Sequence, residues 1–136
     1  MAGTINAANL ELGPCNLYRN EKVRASLTTA LAGTQNDLII KALVPGVAGN
    51  SITVEYVDPP GNNVALSVAV VGTVITVTLE TDGASAIVST ADEVKDLLNN
   101  DFASFSLVYA VRAASNDGTG VVIALAATAL TGGSDT

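Results

Sequence analysis

A chain of 136 residues that is 49% apolar but only 4% aromatic has room for one ordinary domain with a core of Val, Ile, Leu and Ala. Its net charge of −7 argues against a basic phosphate-binding face, so no specific nucleic-acid partner is expected. No run approaches the ~18 apolar residues of a membrane span, and the first four residues lack the charged start of a signal peptide. The expectation is a soluble protein made in the cytoplasm, with no membrane partner.

Residues 1–36 hold no sustained period of 3.6 or 2.0, and they include Gly13-Pro14 and the polar stretch TTALAGTQN at 28–36. They read as an extended N-terminal arm with one short strand around residues 16–27, a disordered tail being the alternative. Charge is divided between the two parts of the chain. Residues 1–41 carry four basic against three acidic side chains, net +1, whereas residues 42–136 carry two against ten, net −8. Arg19, Lys22 and Arg24 are therefore candidate partner-binding residues, through which the arm would lie on an acidic neighbour, including the body of another copy. The alternative is ordinary surface charge. Cys15 is the single cysteine, which rules out an internal disulfide and points to an inert thiol, a bridge between two copies being the other option.

Residues 37–136 read as a β-domain. LIIKALV at 38–44 is an apolar run of strand length stopped by Pro45-Gly46, and SITVEYV at 51–57 alternates, with Ile52, Val54 and Tyr56 on one face. DPPGNN at 58–63 ends that strand, because proline cannot donate to a ladder. Two further alternating runs, 64–70 and 74–80, meet at Gly72-Thr73 and predict a β-hairpin. Thr90-Ala91-Asp92-Glu93 matches a capping box, and Val94, Leu97 and Leu98 follow at helical spacing, so a short helix is expected to end near Asn99-Asn100. Residues 105–112 are strand-like again, SNDGTG at 115–120 suggests a hairpin turn, and VVIAL at 121–125 suggests its second strand. The sum is a mainly β fold, a sandwich or open barrel of about six to seven strands with one short α-helix and an extended N-terminal arm.

The chain has no histidine, which removes the commonest general base and zinc ligand and, with them, Ser-His-Asp and Cys-His nucleophiles. Asp92, Glu93 and Asp96 could in principle work as paired carboxylates, but the capping box already accounts for two of them. GVAGN at 46–50 lacks the Lys-Ser/Thr ending of a P-loop and is followed by a strand, so it reads as a turn. Asn116-Asp117-Gly118 has too few carboxylates for a calcium loop. No catalytic residue, metal site or cofactor is expected.

The order of motifs resembles a small β-domain of tailed-bacteriophage virion structural proteins, found in tail-sheath proteins and in short head or tail proteins. The resemblance rests on GVAGNSITV at 46–54, the hairpin, STADEV at 89–94, NDGTG at 116–120 and LTGGSD at 130–135, and it spans residues 37–135. It implies a non-enzymatic virion protein made in the host cytoplasm and working as part of an oligomeric assembly. A head decoration or cement protein bound to the major capsid protein is favoured, since an acidic body suits the outer surface of a shell. The alternatives are a tail tube subunit, or a virion-displayed sugar-binding module that would have to stack sugars on Tyr18, Tyr56 or Tyr109.

Overall fold

A computed structural model describes residues 21–135, which form seven strands in two sheets with helices at one side. The strands are β1 (Ser26–Thr28), β2 (Leu38–Ala42), β3 (Thr53–Val57), β4 (Ser67–Val71), β5 (Val74–Thr78), β6 (Val108–Arg112) and β7 (Leu125–Ala129). One sheet has the order β1-β2-β6, antiparallel throughout. The other has the order β4-β5-β3-β7, in which β3 and β5 run parallel and the remaining pairs antiparallel. A sandwich-like mainly β fold is therefore established.

Alternation in the sequence becomes inside and outside in the structure. Leu38, Ile40 and Ala42 of β2 face Val54 and Tyr56 of β3 and Ile75 and Val77 of β5 across one apolar core. The β4–β5 hairpin turns at Gly72, whose φ of 61° is the positive value that the first central residue of a tight type II′ hairpin needs. The strand runs expected at 64–70 and 105–112 are shortened. β4 begins at Ser67, and Phe105 belongs to a helical turn, not to β6.

The helix α1 (Ala91–Asn100) buries Ala91, Val94 and Leu98, and its capping box is complete: Glu93 N donates to Thr90 Oγ1 at 3.3 Å and Thr90 N donates to Glu93 Oε2 at 3.2 Å. It covers the outer edge of β6 through one side chain. Asn99 Nδ2 donates to the Ala110 carbonyl at 2.9 Å, and Ala110 N donates to Asn99 Oδ1 at 2.8 Å, so an amide side chain stands in for the strand that is missing there. A second helical turn, α2 (Phe102–Phe105), follows at once and packs against β4 and β6.

The sheets are also sewn together by the chain after β7. Leu130 N donates to Ile52 O beside β3, and Thr131 and Ser134 then bridge to Ser26 and Val23. Of the arm expected over residues 1–36, residues 1–20 lie outside the described residues. Residues 21–36 are woven into the domain, with Ala25 fully buried and β1 paired to β2.

The hairpin turn expected at residues 115–120 is instead a crossover from one sheet to the other. Its carbonyls receive the first turn of α1, Ala91 N donating to Gly120 O at 3.0 Å and Asp92 N to Gly118 O at 2.9 Å. The strand expected at 121–125 begins only at Leu125, because Val122 N donates to Ser89 O and Val121 bridges Thr90 rather than joining a ladder.

Candidate interaction surface

The chain contains two phenylalanines, and neither fills the core. Both lie on α2, where Phe102 is 91% exposed and Phe105 43%. Local chemistry turns them outward. Asp101 ends α1 by donating its N–H to Leu97 O at 3.0 Å and starts α2 by accepting from Ser104 N at 2.9 Å. Ser104 is buried and donates its hydroxyl to Leu98 O at 2.7 Å, which leaves the two rings on the solvent side of the turn.

Next to α2 opens an apolar pocket of about 170 Å³, lined by Val44, Ala48, Gly49, Ile52, Thr73, Ser106 and Leu107. It lies where the β4–β5 turn, the start of β3 and the start of β6 come together. Val44 at its edge is 66% exposed, and Val47 and Val74, each next in sequence to a wall residue, are exposed as well. An apolar surface of this kind, at the end of the helical turn that carries both phenylalanines, has the composition of a contact surface.

The loop behind the pocket is built from two distant segments. Val47–Ser51 forms a 3₁₀ turn whose Asn50 clamps Gly133, donating from Nδ2 to the carbonyl at 3.0 Å and accepting its N–H on Oδ1 at 2.8 Å. Asp135 Oδ1 accepts Val47 N at 3.1 Å. Gly133 approaches so closely that a Cβ there would collide with the Gly46 carbonyl. Gly46, Gly49 and Asn50 are thus committed to the protein itself.

Arg19 lies outside the described residues. Lys22 is exposed beside Gly46. Arg24 is exposed but engaged, donating from Nη1 to the Ala42 carbonyl at 3.0 Å and to the Leu43 carbonyl, with its guanidinium 5.8 Å from the centre of the Tyr109 ring. Lys22 and Arg24 therefore differ in availability, and Arg24 acts as an internal clasp.

Asp92 makes a bidentate pair with Arg112, at 2.8 Å to Nε and 2.5 Å to Nη2, and this bond holds its carboxyl below the usual carboxylate range. A general acid needs the opposite shift. Lys95 pairs with Asp96 at 2.7 Å, and Glu93 closes the capping box. Among the described residues, no three His, Cys, Asp or Glu side chains gather as metal ligands. Of the tyrosines named for sugar stacking, Tyr56 is 2% exposed, Tyr109 is half-buried with Arg24 over one face of its ring, and Tyr18 lies outside the described residues.

The two phenylalanines could have been singled out from the sequence only by their helical spacing of three. Residues 105–112 looked like a continuous strand, which hid the turn that holds them. Comparison of the chain with protein-family models, with curated proteins and with solved structures finds no match.

Proposed function

We propose that this protein is a non-enzymatic structural subunit of a tailed-bacteriophage virion that decorates the outside of the capsid shell and contacts the major capsid protein. The observation that carries the reading is the placement of Phe102 and Phe105 on one exposed turn beside an apolar pocket, a surface suited to a protein partner and not to chemistry. The acidic body supports an outward position away from packaged DNA. The order of motifs from residue 46 to residue 135 supports the phage assignment by resemblance.

A tail tube subunit is the second reading. It is favoured by the two strands that end the four-stranded sheet, β4 (SVAVV) and β7 (LAATA), neither of which carries a charged residue to discourage edge pairing. Pairing of β4 on one copy with β7 on the next is a head-to-tail contact, which builds a ring where the rotation between copies closes and a filament where it does not.

One experiment separates the two. Purified protein mixed with expanded, empty capsids should bind at a fixed stoichiometry, measured by sedimentation and electron microscopy. Hollow tubes formed by the protein alone, with no capsid binding, would replace the head assignment by the tube.

A further inference from the structure

The pocket at the end of α2 has the size of an aromatic ring, and the same chain holds such a ring out in solvent. An engineered apolar cavity of ~150 Å³ accepts benzene, so about 170 Å³ admits one phenyl group. Phe102 is 91% exposed and so does not fill its own chain's pocket. It opens the four-residue turn that runs directly into two of the pocket walls, Ser106 and Leu107. At ~1.5 Å of rise per residue, Phe102 lies only about 6 Å along the helix axis from Ser106.

Charge points to the partner. The pocket walls all come from residues 42–54, 64–79 and 102–111, and these three stretches contain no Asp, Glu, Lys or Arg, although the chain carries 6 basic and 13 acidic side chains. At their rim Lys22 and Asp135, both beside Gly46, are of opposite sign. A charged partner would find no counter-charge on these stretches. Two copies of net charge −7 repel one another, and contact through a face without charge keeps that repulsion smallest. Depletion of charge together with exposed aromatic rings is also the composition of an interface core.

We infer that two copies of this chain pair through this face, each inserting Phe102 into the pocket of the other. Ring and pocket belong to one short stretch of surface, so a two-fold axis between them satisfies both at once, the self-complementary contact of an isologous dimer. The inference does not rest on the virion reading, although both use α2, and capsids take no part in its test.

The test is sedimentation equilibrium of the full chain. A contact centred on one side chain per copy falls in the weak class of interfaces below ~1,200 Å², so dimers should form at ~100 µM chain and separate at ~1 µM. Phe102→Ser, which removes the ring, and Ala48→Phe, which plugs the pocket from an exposed wall, should each weaken self-association about tenfold or more. Thr73→Leu plugs the pocket from another wall should Ala48→Phe fail to fold. The two defects are complementary. Mixing Phe102→Ser, which keeps its pocket, with Ala48→Phe, which keeps its ring, restores one of the two contacts, so the mixed pair should be tighter than either variant with itself. Wild-type chain that stays monomeric at ~100 µM overturns the inference, as does a mixture that binds no better than its components. Oligomers that grow beyond the dimer overturn it too, by making the contact head-to-tail.

Discussion

Tyr56 illustrates what single residues disclose and conceal. Its place in SITVEYV put it on the inner face of β3, and it is buried there, but alternation says nothing of where its hydroxyl goes. That hydroxyl has no hydrogen-bond partner among the described residues. Burial, with a smaller push from the charge of Asp37, raises its pKa far above the ordinary tyrosine range. Tyr56→Phe should therefore leave stability at neutral pH unchanged or raise it by up to about 1 kcal/mol in urea titrations, because an unbonded buried hydroxyl is removed. The sign of the pH effect follows from the raised pKa. The native state keeps a proton that the unfolded chain releases near pH ~10, so stability holds below that pH and declines above it. Comparison of the two proteins should show that the variant lacks this part of the alkaline decline. A loss of stability beyond about 1 kcal/mol at neutral pH would mean that the hydroxyl is bonded after all. Arg24 was hidden for a related reason: a basic residue in an arm gives no sign that its guanidinium will close on the Ala42 and Leu43 carbonyls.

Elements were legible where local chemistry decides them and illegible where pairing does. The helix declared itself through Thr90 and Glu93, and the β4–β5 hairpin through two alternating runs around Gly72. Nothing local to β3 and β5 announces that they run parallel, since that depends on where the 58–66 connection carries the chain. The last strand lies later than its sequence pattern predicts, because VVIAL is a stronger β-former than the alanine-rich LAATA that pairs with β3. Asn99 is an element-scale device that the sequence conceals, a residue at a helix end whose amide completes the edge of a strand. Asn99→Ala should cost about 1–3 kcal/mol, because the N–H and C=O of the buried Ala110 lose their partners. The cost should appear in denaturant titrations together with faster hydrogen exchange at the Ala110 amide. Undiminished protection of that amide would show that the edge is covered in some other way.

At the scale of the molecule, the short motifs at 46–50, 89–94, 116–120 and 130–135 turn out to be joints. GVAGN at 46–50 meets LTGGSD at 130–135 through Asn50, Gly133 and Asp135, and residues 89–94 meet 116–120 at the start of α1. Their spacing along the chain could not reveal these meetings, the first of which joins residues up to 88 positions apart. Because the joints serve the fold, the proposed contact surface is sought elsewhere, and α2 carries Phe102, the most exposed large apolar side chain among the described residues. Phe102→Ser should change stability by no more than about 0.5 kcal/mol, as befits a ring 91% exposed. In the capsid-binding assay the same change should weaken Kd roughly thirtyfold, the effect of losing an aromatic anchor worth about 2 kcal/mol. Full capsid binding by the variant would move the contact off α2.

The seam between residues 23–26 and 131–134 also bears on how the protein is made. As the nascent chain leaves the ribosome, the β4–β5 hairpin and the β2–β6 pair can form in turn, but one edge of β3 and the outer edge of β1 must wait for residues 125–134. During that interval the half-built sheets present unpaired edges to one another and to neighbouring chains. Folding is therefore committed late, by a stretch synthesised after everything it joins.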